Sequence, residues 1–180
     1  MSPTPNTIEP DTKDWTWVLD RPCPECGFVA DDLSVERLGA AVRDNAAGWE
    51  PVLAAPGATA RPDPGVWSPL EYACHVRDVH RVFRERVQAM LSEDEPRFAN
   101  WDQDETAVAA NYAEQVPGIV TLELVAAAAA IADLYDTVPG DAWGRAGVRS
   151  NGSEFTIETL GRYHLHDVVH HLHDVLAERT

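Results

Sequence analysis

The chain has 180 residues, of which 44% are hydrophobic and 24% are charged. This size and balance are typical of a single globular domain that builds its core without disulfides. The formal net charge of −16 disfavours binding to nucleic acid or to anionic lipid, since both need an excess of Lys and Arg. With no long apolar run and no signal-peptide pattern at the start, we predict a soluble, cytoplasmic protein that contacts neither nucleic acid nor membrane.

The first part of the chain, residues 1–32, is predicted to be an irregular N-terminal extension, polar and rich in proline at its start. It carries Cys23 and Cys26 in the sequence C-P-E-C-G, which resembles one knuckle of a zinc ribbon. No second cysteine pair follows, although Cys74 is a candidate third thiolate. A structural metal and a redox-active pair are alternatives, and a packed turn without metal is the interpretation that we favour.

Four later segments show helical periodicity, over about 34–53, 68–91, 120–138 and 156–178. The second opens with a capping box, Ser68-Pro69-Leu70-Glu71, and Thr156 is a suitable N-cap for the fourth. We therefore predict an all-α fold, a four-helix bundle over residues 33–180.

The connections between these segments carry two further expectations. Residues 93–118 are too many for a simple bundle connection, so this stretch is predicted to be functional or partly helical. The sequences GRAGVR and SNGSEF give a weak signal for a small β-hairpin before the fourth helix.

Histidines crowd into the fourth helical segment, in the sequence RYHLHDVVHHLHDV. On a helical wheel, His166, His170 and His173 form one stripe at the edge of the buried face, while His164 and His171 fall on the other flank. The H-x-x-x-H pair of His166 and His170 places two imidazoles one turn apart, where both can reach one ion.

The second helical segment supplies a third imidazole. His75 lies on the core stripe of this segment, whereas His80 does not. Burying several imidazoles together is costly unless something satisfies their nitrogens. We therefore predict that His75, His166 and His170 bind one divalent metal ion, with the fourth coordination position open as in catalytic zinc sites.

Other polar residues lie near this predicted triad. Tyr163, one turn before the metal edge, is a candidate for orienting water or substrate, and His173 is a candidate proton carrier. Core packing for Tyr163 and a solvated position for His173 are the alternatives. Asp167 and Asp174 are predicted to hydrogen-bond the ligand imidazoles.

Two stretches resemble the DinB-like superfamily, which includes thiol-dependent transferases of the YfiT and maleylpyruvate isomerase N-terminal types. They are VWSPLEYACHVRDVHRVF, residues 66–83, and YHLHDVVHHLHDV, residues 163–175. The resemblance extends from about Leu33 to the C-terminus and implies a DinB/YfiT-type four-helix bundle. It also implies a metal triad of one His on the second helix and H-x-x-x-H on the fourth, which matches His75, His166 and His170. The segment RPCPECGF is a departure from the family pattern.

The resemblance implies a metal-dependent enzyme that uses a low-molecular-weight thiol of the mycothiol or bacillithiol kind. The reaction would be S-transfer to a small electrophile or thiol-assisted isomerisation. Zinc is the expected ion and nickel the alternative. A metal-dependent hydrolase and a non-enzymatic metal-binding stress-response protein are the rival interpretations, and a homodimer is left open.

Overall fold

The computed structural model describes Ile8 and residues 14–177. The α-helices in this part of the chain are α1 (Leu38–Ala47), α2 (Trp49–Ala54), α3 (Pro69–Ser92), α4 (Gln103–Ala109), α5 (Pro117–Asp136) and α6 (Ile157–Ala177). The strands are β1 (Arg97–Phe98), β2 (Ala146–Arg149) and β3 (Glu154–Thr156). Short 3₁₀ segments occupy Thr16–Leu19, Ala30–Asp32, Val35–Arg37, Tyr112–Glu114 and Ala142–Gly144.

The helices α1, α3, α5 and α6 pack together as a four-helix bundle, which confirms the predicted fold class. The most extensive interfaces join α5 to α3 and α1, and α6 to α3. The predicted first helix is interrupted at Gly48, where α1 ends and α2 begins. Pro51 accounts for the break, because it has no N–H to donate to the carbonyl of Ala47 and its ring crowds that carbonyl.

The starts of α3 and α6 follow the predicted capping residues. The Ser68 hydroxyl accepts a hydrogen bond from the Glu71 amide at 3.2 Å, and the Ser68 amide donates to the Glu71 carboxylate at 2.8 Å. Arg61, in the preceding loop, also donates to this carboxylate. At α6, the Thr159 amide donates to the Thr156 hydroxyl at 3.1 Å. Both helices therefore begin where the capping residues satisfy amides of the first turn.

A three-stranded sheet stands beside the bundle. Strands β2 and β3 form the antiparallel hairpin that GRAGVR and SNGSEF indicate, and β1 joins β2 in parallel. Because β1 and α4 both lie between α3 and α5, the long connection is partly helical, as predicted.

Helix α5 is the helix, within the described residues, that is long and apolar enough to cross a membrane. Length and composition are weak evidence of a span, because the central helix of a bundle passes the same test. Its residues Val120, Leu124, Ala128 and Ile131 are fully buried in the core of the bundle.

The segment before α1 lies along α6. The 3₁₀ turn Thr16–Leu19 contacts α6, and Val18 and Cys23 are buried there, each no more than 1% exposed. This packing brings the C-P-E-C-G sequence next to the histidine-rich helix.

Candidate metal centre

Helix α6 presents two pairs of metal-ligating residues at successive positions. His166 and His170 form one pair, and Asp167 and His171 form the other, rotated from the first by about 100°. The rotation makes the two pairs face different neighbours. Asp167 and His171 face His75 on α3, while His166 and His170 face the N-terminal segment.

The inner cluster consists of His75, Asp167 and His171, whose ligand atoms all lie within 4.8 Å of one another. Asp167 Oδ1 is 3.6 Å from His75 Nε2 and 3.5 Å from His171 Nε2. These distances are too long for good hydrogen bonds. They are close to the separation of about 3.4 Å between two ligands bound tetrahedrally to one ion at about 2.0–2.1 Å.

Four polar atoms of the inner cluster are buried without hydrogen-bond partners in the described part of the chain. They are His75 Nδ1, His75 Nε2, Asp167 Oδ1 and His171 Nδ1. His75 is only 1% exposed and its ring stacks on Trp101, with ring centres 5.5 Å apart and planes inclined by 9°. Leaving such atoms unpaired costs free energy, so this set of atoms fits a bound cation.

The charge states of the inner cluster also suit a metal ion. Burial by itself would raise the pKa of Asp167, but the neighbouring His75 and His171 hold that pKa below its ordinary value. Burial lowers the pKa of His171 to about 3. At neutral pH the carboxyl is therefore ionised and the imidazole neutral, the forms in which these groups bind metals.

A second cluster, the outer cluster, consists of Cys23, Cys26, His166 and His170. Its four ligand atoms also lie within 4.8 Å of one another. Cys74 is not part of it: this buried thiol lies 3.5 Å from the side-chain oxygen of Gln115. His170 belongs in addition to an acidic group with Glu25 and Asp174.

The structure thus divides the predicted triad between two clusters. His75 lies in the inner cluster, and His166 and His170 lie in the outer one. Asp167 was predicted to hydrogen-bond the metal-binding imidazoles. In the structure its carboxylate is itself a member of the inner cluster. The wheel finds the edges of the buried face of α6, but it does not show which neighbouring segment covers each edge. A triad of His75, His166 and His170 stays a prediction that this geometry does not favour.

His80 and His164 are buried, although the wheel places His80 off the core stripe of its helix and His164 on a flank. His80 Nδ1 and His164 Nε2 are 2.9 Å apart, and the Tyr135 hydroxyl is 3.0 Å from His164 Nδ1. Burial lowers the pKa of His164 to about 4 and that of His80 well below its ordinary value. These histidines are therefore neutral members of a hydrogen-bonded chain in the core, separate from both clusters.

A cavity of about 570 Å³ opens beside the clusters. This volume lies within the usual range for small-molecule sites. Asp167 and His171 of the inner cluster line it, as do His166 and His170 of the outer one, and Arg149 is the basic side chain among its described lining residues. The aromatic lining side chains are Trp15, Trp67, Tyr72, Trp101 and Tyr163, and the acidic ones include Glu25, Asp102, Asp104 and Asp174.

The two candidate catalytic residues have different positions relative to the cavity. Tyr163 lines it, and burial, with a smaller effect of Asp167, raises the pKa of its phenol, so the hydroxyl is protonated and can donate a hydrogen bond. The side chain of His173 is 44% exposed, lies 3.6 Å from Asp174, and is not a lining residue. Arg149 could not be assigned to this cavity from the sequence, because strand β2 reaches it only through the tertiary fold.

Comparison with known proteins defines the family. The DinB superfamily matches residues 41–175, so the chain belongs to this superfamily. The fold is similar to that of YfiT from Bacillus subtilis, with a TM-score of 0.70 and 15% sequence identity over 81% of this chain and 87% of that one. YfiT is described as a probable metal-dependent hydrolase with an unusual four-helix bundle topology. No curated protein matches the chain in sequence.

Proposed function

We propose that this protein is a metal-dependent enzyme that acts on a small molecule in the cavity, with one divalent ion held by His75, Asp167 and His171. The observation that carries the proposal is the inner cluster itself. Both His75 nitrogens and Asp167 Oδ1 are buried and lack hydrogen-bond partners within the described residues, and Asp167 and His171 reach the wall of the cavity.

The ligand set supports a catalytic rather than a structural role. Two neutral imidazoles and one carboxylate provide three ligands, the number found in catalytic zinc sites. Together with a divalent ion they leave a net charge of +1, which favours an anion at the remaining position. Nitrogen and oxygen ligands of this kind suit zinc first and nickel second. When bound, the ion would act as a Lewis acid that lowers the pKa of a coordinated thiol or water.

The coordinated group could be a thiol or a water molecule, and we favour the thiol. It would be a low-molecular-weight thiol of the mycothiol or bacillithiol kind, used for S-transfer to an electrophile or for thiol-assisted isomerisation. The DinB resemblance supports the thiol, and the volume of the cavity allows a thiol and a small electrophile together. Because low-molecular-weight thiols stay reduced in the cytoplasm, we place the protein there.

The side chains of the cavity have separate tasks in this proposal. Arg149 attracts an anionic group of the substrate and fixes its orientation by paired N–H donors. Tyr163 donates its hydroxyl proton in a hydrogen bond to the substrate atom that gains negative charge. Trp101 and Trp67 pack on His75 and keep bulk water from that ligand.

A metal-dependent hydrolase is the second candidate, favoured by the description of YfiT, whose fold is similar. The same ligands and the same cavity would serve, with water replacing the thiol. In that case Tyr163 and Arg149 would contact the ester or amide that is hydrolysed, instead of the electrophile that accepts the thiol.

Turnover measurements separate these functions. The zinc-loaded protein is assayed with the electrophile monochlorobimane, with and without mycothiol or bacillithiol, and separately with a p-nitrophenyl ester. We expect product only when metal and thiol are both present, loss of turnover in Asp167→Ala, and retention of turnover in the matched control His173→Ala. Ester cleavage without thiol, also lost in Asp167→Ala, would favour the hydrolase. Absence of turnover with either substrate would leave a metal-binding protein without catalysis and contradict the proposal.

A further inference from the structure

The sequence C-P-E-C-G forms a tight turn that presents both thiols to α6. The Gly27 amide donates to the Cys23 carbonyl at 2.9 Å, and the Cys23 amide donates to the Phe28 carbonyl at 2.9 Å. Gly27 has φ = +74°, a conformation that residues with a Cβ seldom adopt. A C-x-x-C turn of this kind is the usual source of two thiolates for one zinc ion.

The imidazoles that face this turn complete a set of four ligands. Cys23 Sγ lies 3.7 Å from His170 Nδ1. Bonds of about 2.3 Å to sulfur and 2.0–2.1 Å to nitrogen place such atoms about 3.6 Å apart around a tetrahedral ion. With Cys26 and His166 also within 4.8 Å, the ligand atoms already occupy a volume that one ion can bridge.

The surroundings of His170 orient it as a ligand. Its second nitrogen, Nε2, faces Glu25 at 3.4 Å and Asp174 at 3.6 Å. A carboxylate on the far side of an imidazole is the common arrangement behind metal-bound histidines, since it fixes the ring and makes the other nitrogen a better ligand. In the outer cluster, that other nitrogen is the one that faces Cys23.

The outer cluster is largely buried, with His166 and His170 at the edge of the cavity and Cys26 partly exposed. Cys23, His166 and His170 are 1%, 3% and 8% exposed, and His166 Nε2 is buried without a hydrogen-bond partner among the described residues. Trp15 covers both imidazoles, with ring centres 5.7 Å from His166 and 5.0 Å from His170. Four protein ligands with no free position are typical of structural zinc sites.

We propose that Cys23, Cys26, His166 and His170 bind a second metal ion, zinc, in a structural site distinct from the inner cluster. Two sulfur and two nitrogen ligands in this arrangement select zinc among the divalent ions. The site fastens the N-terminal segment to α6, and so holds Trp15 and Glu25 in the wall of the cavity. The proposal does not depend on the enzymatic function.

Metal stoichiometry tests the site directly. The metal-free, reduced, full-length chain is titrated with zinc, dialysed, and analysed for bound metal. We expect two equivalents for the wild type and one for Cys26→Ser, while the matched control Cys74→Ser keeps two. Asp167→Ala also falls to one, through loss of the other ion. If the wild type binds one equivalent and Cys26→Ser binds the same, or if Cys26→Ser keeps two while Glu25→Gln loses one, the outer cluster is not the site.

Two measurements on the wild type do not require a variant to fold. With cobalt in place of zinc, a thiolate-to-cobalt charge-transfer band should appear without added thiol. Zinc should also protect Cys23 and Cys26 from iodoacetamide, as measured by peptide mass. Absence of the band, or oxidation of the two thiols to a disulfide in the presence of zinc, would overturn the proposal.

Discussion

Asp167 joins the inner cluster because it follows His166 by one position on α6. That single step turns its carboxylate by about 100°, away from the N-terminal segment and toward His75. The carboxylate brings the negative charge that two neutral imidazoles lack. It is therefore the residue whose charge suits the inner cluster, as we propose, to a divalent cation.

Tyr163 is the residue whose proposed role can be separated from metal binding. Tyr163→Phe removes the hydroxyl but keeps the ring that packs on Phe83 and Phe155. We expect kcat/KM to fall on the order of 10- to 100-fold, the loss of one hydrogen bond to a charged group, with zinc affinity unchanged. Steady-state kinetics and a zinc titration on the same preparation check both. Unchanged kcat/KM would assign Tyr163 to packing alone.

For single residues, the sequence indicates which side chains belong to the candidate metal centre better than it indicates which of them lie together in one cluster. The H-x-x-x-H pattern and the core position of His75 point to α3 and α6, the helices on which His75, Asp167 and His171 come together. The choice between His166 with His170 and Asp167 with His171 depends on which edge of α6 the N-terminal segment covers. No periodicity within α6 contains that information, because the segment packs through contacts about 150 positions away in sequence, such as Cys23 to His170.

The long helices are the elements that the sequence predicts well. The capping residues at Ser68 and Thr156 satisfy local amides, so the starts of α3 and α6 follow from a few neighbouring residues. The break at Gly48 was not predicted, although Pro51 is a local signal for it. The pairing of β1 with β2 was not predictable, because it joins strands about 50 positions apart.

Close contact between α1 and α5 depends on Gly39. A Cβ at this position would lie 2.9 Å from the Ala132 carbonyl oxygen and still closer to the Asp136 carboxylate. Because the carbonyl belongs to the backbone of α5, the helices would have to separate.

Gly39→Ala should therefore destabilise the bundle. The clash costs about 1–3 kcal/mol, and the better helix propensity of alanine returns up to about 1 kcal/mol. We expect the free energy of unfolding to fall by about 1 kcal/mol. The matched control is Gly118→Ala in α5, where a Cβ meets nothing within 4 Å and the change should be neutral or slightly stabilising. Urea denaturation gives the free energy of unfolding of both variants. Equal changes in the two would contradict a close contact between α1 and α5 at Gly39.

The whole molecule should lose stability in mild acid. His80 and His164 are neutral in the folded core, and burial is the main cause of their lowered pKa values. In the unfolded chain they regain an ordinary pKa near 6.5. As the pH falls below that value, the unfolded state binds protons that the folded state does not, so the free energy of unfolding decreases.

His80→Gln tests this pH dependence. For His164 the decrease extends from about pH 6.5 to its folded pKa of about 4. Each such histidine contributes a slope of about 1.4 kcal/mol per pH unit. Glutamine can keep a hydrogen bond to His164 but does not titrate, so the slope between pH 6.5 and 5 should become shallower by about that amount. Denaturant unfolding of both proteins at several pH values gives the slopes, and identical slopes would contradict neutral burial of His80.

The central claim is that the metal centre of the bundle is built from His75, Asp167 and His171. The most direct measurement is the zinc content of variants made in a Cys26→Ser background, in which the outer cluster cannot contribute a second ion. The background protein should bind one equivalent, His171→Ala should abolish it, and His166→Ala should leave it intact. Loss of zinc in His166→Ala with retention in His171→Ala would contradict this assignment and restore the triad of His75, His166 and His170.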